Sequence, residues 1–553
     1  MGFNRRVGMA VDVFSALGAV LRNENLRRVE LAWGAAITAE WAHFVALGVF
    51  AYEAGGAFAV GIAGLVRMLP AALVAPFAAS LGDRFRRERF LFAIVLAGSS
   101  ALAASAVAFV AGANEFVIFT LAGVVGVAST LVRPAQQALL PSLARTPEEL
   151  IASNGATSTI ESLGTLVGPL LAGVLVSIAD VGSVFAVGSA AFLGGALLLA
   201  RVRVEGQIQL MGAAAAESTR ELILGGYRVV ARAAKPRLIV ALVMAQAFVR
   251  GCLNVLIVVL VFRVLDTGPG AVGFLTAALG VGGVIGAVGA LALKGRRLAA
   301  PFGLALVFWG LPIALVAPWP DLVTALFLLA VVGAANSVED VAAFTLLQRI
   351  VPDDVLTRVL GVLWGLAMGG VAVGSICAPA VVSAIGPRPA FLVVGAILPL
   401  LTLITWRRLV GIDRTLSVPA AELALIDRVP MFAPLSVAAK EHIAAKLVRV
   451  SIAAGDVVIR AGDHGDRFYI VADGKLEVIA ERLHRSAGVG DYFGEIALLR
   501  DVPRTATVRA LVNSTLYALQ RDAFLRAVTG HSAVRAAGEA VVHERLAATG
   551  APR

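Results

Sequence analysis

The sequence is poor in charge and in cysteine, and both shortages exclude classes of protein. Only 15% of the 553 residues are charged, against about 25% in an average soluble protein, while 59% are hydrophobic. A soluble single domain is therefore excluded. The two cysteines, Cys252 and Cys377, lie far apart in apolar runs. This excludes a disulfide framework and is typical of small core residues.

Motifs of enzyme chemistry are also missing. The sequence contains nothing that resembles a Walker loop, a metal-ligand cluster or a nucleophile elbow. It therefore predicts a protein that is not an enzyme and that holds no metal.

The charges that are present are spread unevenly along the chain. Fifty of the first 410 residues are charged, against 34 of the last 143, so the end of the chain has the charge density of a soluble domain. Of the net charge of +10, eight charges belong to the apolar first part. A membrane therefore explains the basic balance better than nucleic acid does, and no nucleic-acid partner is predicted.

Apolar segments long enough to cross a bilayer recur through the first 410 residues. Before them, apolar residues at helical spacing from Val11 to Leu21 predict an amphipathic helix that lies on membrane lipid within residues 1–27. The twelve predicted spans cover residues 31–52, 57–80, 90–111, 116–140, 154–178, 183–202, 238–262, 270–293, 300–318, 321–346, 359–384 and 389–407.

Lysine and arginine predict how these spans are oriented. The loops that follow spans 2, 4, 6, 8, 10 and 12 contain several such residues, whereas the other loops contain almost none, with Arg263 and Arg388 as the exceptions. Because such residues are retained in the cytoplasm, both termini and the polar end of the chain are expected there. Arginine outnumbers lysine 42 to 5, which is typical of a GC-rich bacterial genome, so the spans are expected in the plasma (inner) membrane of a bacterial cell.

The membrane part also contains an internal repeat. Leu139-Leu140-Pro141 followed by Pro147-Glu148-Glu149-Leu150 is echoed about 205 residues later by Leu346-Leu347-Gln348 followed by Pro352-Asp353-Asp354-Val355. Parallel half-repeats of this kind are a transporter architecture. The predicted domains are the interfacial helix 1–27, a six-helix half 28–202, a linker 203–237, a second six-helix half 238–410 and a cytoplasmic domain 411–553.

Three motifs in this part resemble the major facilitator superfamily. Asp83-Arg84-Phe85-Arg86-Arg87 is similar to its cytoplasmic motif between helices 2 and 3, although Ala79 and Arg86 stand where the family usually has glycine. Gly164-x-x-x-Gly168-Pro169-x-x-Ala172-Gly173 resembles a motif of proton-coupled exporters. The run from Arg133 to Pro141 resembles the enterobactin and macrolide efflux branch.

This resemblance implies an α-helical secondary transporter of twelve spans. It also implies a conformational latch at Asp83, Arg84 and Arg87. A bend at Gly168 and Pro169 would affect alternation between inward-open and outward-open states. The alternative for the glycines is ordinary helix packing, because paired small residues are common in membrane helices.

Charged side chains inside the predicted spans are functional candidates, because each costs about 2.5–3.5 kcal/mol to insert at the bilayer centre. Glu40 and His43 share one face of span 1, and Arg67 lies at a matching depth in span 2. We expect a contact between Glu40 and Arg67, with His43 as a proton acceptor beside it. The alternative is a fixed ion pair that joins the two spans.

Further charges lie in spans 4, 5, 7 and 10. Arg133 occupies about the same place in the first half as Glu339-Asp340 in the second, and opposite charges there predict a gate between the halves. The alternative is that these side chains reach the cytoplasmic interface. Glu161 and Arg250 are further candidates for a transport cavity, or else partnered structural charges.

The end of the chain reads as a β-rich domain flanked by helices. Short apolar runs at 457–459, 468–471 and 476–479 predict strands. Predicted glycine turns separate them at Ala461-Gly462-Asp463, Gly465-Asp466 and Asp473-Gly474. The segments 434–447 and 532–547 have helical patterns. The run Asp491-Tyr492-Phe493-Gly494-Glu495-Ile496-Ala497-Leu498-Leu499 is then followed by Pro503-Arg504-Thr505.

A glycine before a short helix lets a phosphate approach free backbone N–H groups, and an arginine can neutralise it. This stretch resembles the phosphate-binding cassette of cyclic nucleotide-binding domains, and the likeness extends over 423–547. It implies that Arg504 pairs with the cyclic phosphate and that Glu495 binds the ribose 2′-hydroxyl. The backbone around Phe493, Gly494, Ile496 and Ala497 would complete the cradle.

By the same resemblance Thr505 lies beside the phosphate or the purine, and the helix 532–547, with Arg535, covers the base. The expected ligand is cAMP, but cGMP stays open because the Thr505 hydroxyl could also bond guanine. The alternatives are a domain that has lost its ligand and a dimerisation module, which leaves a homodimer open.

Together these features predict a secondary transporter, with proton-coupled efflux of a small amphipathic compound or lipid that a cytosolic cyclic nucleotide regulates. The alternatives are a membrane-anchored nucleotide sensor without transport and a solute uptake permease.

Overall fold

The computed structural model describes the helices and strands of two parts of the chain. The described residues are 22–74, 86–144, 147–202, 227–228, 230–290, 293, 297–351, 353–415, 420–433, 435, 440, 443–444, 446–480, 483–529, 538–539 and 541–542. The interfacial helix and the linker 203–237 therefore lie mostly outside the described residues, and Asp83, Arg84 and Arg535 lie wholly outside them. The chain divides into two compact units: the first comprises residues 1–292 and 299–410, and the second comprises residues 293–298 and 411–553.

The first unit consists of long apolar helices. They are α1 (Glu24–Val74), α2 (Arg87–Val110), α3 (Glu115–Leu143), α4 (Pro147–Ile178), α5 (Val181–Leu199), α6 (Ala234–Leu260), α7 (Ala271–Ala290), α8 (Ala299–Leu315), α9 (Leu322–Ile350), α10 (Asp353–Ile385) and α11 (Pro387–Thr415). Among the described residues, ten candidate membrane spans are long and apolar enough to cross a membrane, and α8 is a shorter apolar helix.

The first of these helices is two helices in succession. Gly55 and Gly56 have non-helical backbone angles, and Gly56 has a φ of 64°, which favours glycine. With α1 counted as two segments and α8 included, the described residues contain twelve apolar helical segments, the number that the sequence predicts. The break at Gly55 and Gly56 coincides with the predicted loop between spans 1 and 2.

Small residues bring the helices of the two halves together. A Cβ atom on Gly61 of α1 would lie 2.6 Å from the Ser375 carbonyl oxygen of α10. A Cβ atom on Gly173 of α4 would lie 2.8 Å from the carbonyl oxygen of Gly270, beside α7. Such close backbone approach is how membrane helices associate, since lipid gives them little hydrophobic drive to do so.

The second unit is built from two antiparallel four-stranded sheets. Its strands are β1 (Val448–Ile452), β2 (Val457–Ile459), β3 (Arg467–Asp473), β4 (Leu476–Ala480), β5 (Leu483–Ala487), β6 (Tyr492–Phe493), β7 (Thr507–Ala510) and β8 (Ser514–Gln520). One sheet has the order β1-β8-β3-β6 and the other β2-β7-β4-β5. The three predicted strands correspond to β2, β3 and β4, with predicted turns at Gly462 and Gly474, both with positive φ.

Short helices accompany these sheets: α12 (Ala420–Ile426), α13 (Glu495–Arg500) and α14 (Arg521–Thr529). Phe432, Phe468 and Phe524 are fully buried and form one cluster beneath them. Phe468 and Phe524 stack with ring centroids 4.8 Å apart. The predicted helices 434–447 and 532–547 lie mostly outside the described residues. This aromatic core fixes the ends of β3 and β8. It therefore also fixes the loops that connect these strands to the junction of β6 and α13.

Candidate functional site

The cassette that the sequence singled out forms a tight junction between β6 and α13. Gly494 has a φ of 94° and caps α13, and a Cβ atom there would lie 2.7 Å from Nη1 of Arg504. Both features require glycine. The preceding Phe493 stacks on Tyr469 of β3 with centroids 5.3 Å apart. The backbone of the cassette is therefore held in one position against the sheet.

Arg504 is the buried cation of this site, with a relative exposure of 4%. Its Nη1 donates to the Gly494 carbonyl oxygen at 3.0 Å, and its Nη2 donates to that of Arg467 at 2.8 Å. Burial lowers the pKa of the Arg504 guanidinium, and nearby Tyr469 and Asp466 act in the opposite direction. An arginine stays charged at neutral pH in such surroundings.

The backbone of Arg504 is fixed as firmly as its side chain. Its N–H donates to the Asp463 carbonyl oxygen at 2.8 Å, and its carbonyl oxygen accepts from Gly462 N–H, also at 2.8 Å. The turn at Gly462 and Asp463, which follows β2, therefore fixes the position of the loop that contains Arg504.

The other cassette residues surround the same point. Glu495, Ile496 and Ala497 have relative exposures of 1%, 8% and 2%, and Glu495 interacts electrostatically with Arg504. Thr505 is half-buried next to Arg504. The structure therefore brings all seven predicted cassette residues into one junction of β6, α13 and the loop before β7.

Two residues of this junction were missed by the sequence analysis. Asp466 Oδ1 lies 3.4 Å from Nη2 of Arg504, and Arg521 donates to the Gly465 carbonyl oxygen at 3.2 Å. Arg521 also forms an ion pair with Asp501 at the end of α13. The turn Gly465-Asp466 was read only as a break between strands, because a turn motif by itself carries no sign of what it contacts.

In the membrane unit, Glu40 and Arg67 form an ion pair across the two segments of α1. Arg67 Nη2 lies 2.9 Å from Glu40 Oε1, and the Arg67 side chain is 8% exposed. Its guanidinium carbon also lies 5.1 Å from the centroid of the Phe44 ring. The structure therefore brings together the two residues that the depth argument paired.

His43 lies on the same segment but is enclosed differently. Its exposure is 1%, its ring packs 5.6 Å from that of Phe185, and within the described residues neither ring nitrogen has a hydrogen-bond partner. The structure does not join it to Glu40 by a hydrogen bond.

Arg133, which is predicted to form a gate with Glu339-Asp340, pairs with Glu161 in the structure. Glu161 in turn interacts electrostatically with Asp340, and the gate stays a prediction. Arg133 Nη1 lies 2.6 Å from Glu161 Oε1, so its ion pair is within the first half, between α3 and α4. Sequence position gave the depth of Arg133 but not its rotation about the helix axis, and the rotation selects the partner.

The carboxylates of α9 have a different cation as their neighbour. Glu339 is buried at 1% exposure, and within the described residues its carboxylate oxygens have no hydrogen-bond partner. Asp340 accepts from Asn336 Nδ2 at 3.0 Å. Arg250 of α6 interacts electrostatically with both carboxylates.

A cavity of about 220 Å³ lies between the two halves of the membrane unit. Residues of α1 and α4 line it from the first half, and residues of α6 to α10 from the second. Arg67 and Arg250 are among its lining residues. A cavity at the interface of two half-repeats is where transporters place their substrates.

The glycine motif of α4 contacts helices of both halves. A Cβ atom on Gly168 would lie 2.7 Å from the Trp41 Cβ of α1, while Gly173 contacts α7 as described above. Pro169 lies inside the continuous helix α4. Of the predicted latch, Arg87 is described, and its Nη1 donates to the Ala138 carbonyl oxygen of α3 at 2.8 Å.

A further buried carboxylate was missed by the sequence analysis. Glu30 of α1 is 3% exposed and accepts hydrogen bonds from Ser153 Oγ at 2.7 Å and from Thr157 Oγ1 at 2.8 Å. Gln136 Nε2 lies 3.4 Å from its second oxygen. Glu30 was not considered because it lies just before the predicted start of span 1. An acidic residue next to an apolar run was nevertheless a usable sign of a buried carboxylate.

The fold and these sites define a membrane transporter body joined to a nucleotide-binding module. Comparison with family models agrees: residues 31–363 match the Major Facilitator Superfamily and residues 449–531 match the cyclic nucleotide-binding domain. The chain belongs to the Major Facilitator Superfamily and carries a C-terminal cyclic nucleotide-binding domain. It is therefore a multi-pass membrane protein.

Known proteins similar to part of this chain include regulatory subunits of cAMP-dependent protein kinase. The subunit of Blastocladiella emersonii is 39% identical over 148 residues, which cover 25% of this chain and 36% of the relative. That of Emericella nidulans is 39% identical over 106 residues, 19% of this chain and 26% of the relative. The chain thus spans between about a quarter and two fifths of the curated relatives that it matches.

Among solved structures, cAMP-bound PfPKA-R matches 24% of this chain and 46% of its own, with 25% identity and a TM-score of 0.22. The sensor domain of the transcriptional regulator DNR from Pseudomonas aeruginosa matches 23% of this chain and 90% of its own, with 24% identity and a TM-score of 0.21.

Proposed function

We propose that the chain is a secondary transporter whose activity is set by cAMP bound at the junction of Gly494, Glu495 and Arg504. The observation that carries this proposal is the buried guanidinium of Arg504, which is held by backbone carbonyl oxygens at 2.8 and 3.0 Å. A guanidinium has five N–H donors, and these two bonds with the Asp466 contact use three of them. Donors therefore remain for the oxygens of a cyclic phosphate.

The remaining cassette residues have roles that follow from their positions. Glu495, buried beside Arg504, accepts from the ribose 2′-hydroxyl, because a carboxylate suits a hydroxyl donor. The backbone N–H groups of Gly494, Ile496 and Ala497 lie at the start of α13 and face the phosphate. No metal is required for this binding.

The relatives favour cAMP over cGMP as the ligand. They are named as regulatory subunits of cAMP-dependent protein kinase, at up to 39% identity over the matched residues. Thr505 lies half-buried beside Arg504, where a hydroxyl would favour cGMP if it reached the base. A direct competition between the two nucleotides decides between them.

We further propose proton-coupled efflux of a small amphipathic compound or lipid as the transport reaction. Ionisable residues around the cavity support coupling, since a membrane anchor alone has no use for charges that are costly to bury. Glu40 with Arg67, and Glu339 and Asp340 with Arg250, are the candidate coupling groups, and His43 is a candidate proton acceptor. The nucleotide-binding domain would lie in the cytosol, and lipid would cover the exposed apolar helix faces.

Regulation requires that cAMP bind one conformation of the transporter more tightly than another. A coupling free energy of about 1–3 kcal/mol is typical and changes an equilibrium roughly 5- to 150-fold. A membrane-anchored sensor without transport is the second candidate. It is less well supported, because a membrane anchor alone does not need a cavity with charged lining residues.

The test is performed on the full-length protein in proteoliposomes. Transport of anionic, neutral and cationic solutes is screened with and without cAMP inside, and binding of cAMP and cGMP is titrated on the same preparation. We expect cAMP to bind, to outcompete cGMP and to change the rate of at least one solute. The Arg504→Ala variant should lose this response, while Arg509→Ala, which removes an exposed arginine from β7, should keep it. Binding of neither nucleotide would contradict the proposal.

A further inference from the structure

The cavity between the two halves of the membrane unit has a lining that is mostly apolar and contains positive but no negative side chains within the described residues. Its charged lining residues are both cationic, Arg67 and Arg250, and no carboxylate lines it within the described residues. Most of the remaining lining is apolar. We propose, on the basis of the proposed transport function, that this cavity binds a small amphiphile with an anionic head group.

Arg250 is the residue that would recognise the head group. It lines the cavity from α6, and within the described residues it has no hydrogen bond and no ion pair. Asn254 follows one turn later on the same face of α6, also lines the cavity, and has no hydrogen bond within the described part of the chain. A guanidinium and an amide one turn apart offer several N–H donors to one anionic group.

Arg67 differs from Arg250 because Glu40 neutralises most of its charge. The ion pair at 2.9 Å and the Phe44 ring at 5.1 Å hold its guanidinium in place. Its Nε is buried and has no hydrogen-bond partner within the described residues. Arg67 therefore contributes little free charge to the cavity, and Arg250 is the stronger anchor for an anion.

The apolar lining suits the other end of an amphiphile. Trp41, Phe44 and Trp309 contribute aromatic surface to the cavity. Trp309 is fixed in place because its Nε1 donates to Asn336 Oδ1 at 3.1 Å. At about 220 Å³ the cavity is smaller than the roughly 300–1,000 Å³ of typical drug-sized pockets, so a short apolar chain fits better than a long one.

Glu339 and Asp340 compete with such an anion for Arg250. They interact with Arg250 electrostatically but are not part of the cavity lining. An anionic head group in the cavity and these carboxylates outside it therefore attract the same guanidinium. Asp340 is exposed and accepts a hydrogen bond from Asn336, so removal of its charge should strengthen anion binding, which a purely structural role of Arg250 does not predict.

The test uses the full-length protein in lipid nanodiscs and three probes with the same chain: octanesulfonate, octanol and octyltrimethylammonium. Binding of labelled octanesulfonate is measured at equilibrium, and the other two are used as competitors. We expect octanesulfonate to bind and octyltrimethylammonium to compete poorly. Arg250→Gln should weaken binding roughly tenfold to a hundredfold, as expected for loss of hydrogen bonds to a charged group.

Three further variants complete the test. Arg263→Gln removes an exposed arginine beyond the end of α6, outside the cavity, and should leave binding unchanged. Arg250→Lys keeps the positive charge and should retain part of the binding. Asp340→Asn should tighten it severalfold.

Competition by octyltrimethylammonium equal to that by unlabelled octanesulfonate would overturn the proposal. Unchanged binding in Arg250→Gln would overturn it as well. If octanesulfonate binds with this pattern but is not moved across proteoliposomes, the anion site stands and the transport function fails, so the two claims are tested separately.

Discussion

The two units of this chain each bury an arginine, and its surroundings compensate the positive charge to different extents. In the membrane unit, Arg67 forms a 2.9 Å ion pair with Glu40, whose side chain is 25% exposed. In the nucleotide-binding unit, Arg504 is held by carbonyl oxygens, and its carboxylate neighbour Asp466 is 63% exposed at 3.4 Å. The charge of Arg67 is therefore largely compensated by a fixed partner, whereas most of the charge of Arg504 is available to a ligand.

This comparison predicts different costs when the partners are removed. Glu40→Gln leaves Arg67 buried without a counter-charge, and loss of one member of a buried pair costs about 3–5 kcal/mol. We expect a clearly lower thermal midpoint for the membrane unit in detergent. Glu53→Gln, an exposed carboxylate on the same helix pair, should change the midpoint little.

The same variant separates a structural pair from a coupling pair. Transport is measured at several pH values in Glu40→Gln, in the fraction of protein that stays folded. Loss of the pH dependence supports proton coupling through Glu40. A pH profile like that of the unmodified protein would reduce the pair to a structural role.

The second prediction concerns the backbone that holds Arg504. Gly494→Ala places a residue with a side chain at a φ of 94° and a Cβ atom 2.7 Å from Nη1 of Arg504. We expect about 1–2 kcal/mol of backbone strain and, in addition, displacement of Arg504 and a large loss of cAMP affinity. Stability and cAMP binding are measured together by thermal unfolding and calorimetry.

A second glycine with a similar φ separates the effect of the steric clash with Arg504 from the effect of backbone strain. Gly455 has a φ of 92°, but nothing lies within 4 Å of a Cβ atom placed there. Gly455→Ala should therefore destabilise the domain to a similar degree and leave cAMP affinity intact. Equal losses of affinity in both variants would mean that Arg504 does not depend on the Gly494 contact.

The third prediction has the smallest effect. Asp466→Asn removes the exposed carboxylate near Arg504, and pairs with an exposed partner contribute no more than about 1 kcal/mol. Stability should change little, and cAMP should bind as well as before or more tightly, because one competitor for the guanidinium is gone. Weaker binding would show that Asp466 takes part in ligand recognition.

The sequence could predict these two arginines because each belongs to a local pattern. The depth of Arg67 in its span follows from counting residues back to the predicted turn near residue 54, and Glu40 lies at about the same distance on the other side. Arg504 follows from the spacing between two short motifs. Both patterns depend only on residues near one another along the chain or on helical rise.

Other contacts could not be predicted because they depend on tertiary rotation or on the backbone. Arg133 pairs with Glu161 and not with Glu339 or Asp340, since the rotation of α3 decides which neighbour its side chain meets. The carbonyl oxygens that hold Arg504 belong to Gly494 and Arg467, and residue type does not show which carbonyl groups a fold will present. The Glu30 network, with donors from two other helices, has the same origin.

The central claim is that cAMP bound in one unit shifts the conformation of the other. It is tested without knowledge of the substrate by spin-label distance measurements in nanodiscs. The labels replace Ala111, after α2, and Trp319, before α9, in a chain whose two native cysteines are changed to serine. We predict that saturating cAMP shifts the distance distribution between the halves, and that Arg504→Ala abolishes the shift. Identical distributions with and without bound cAMP would contradict the account.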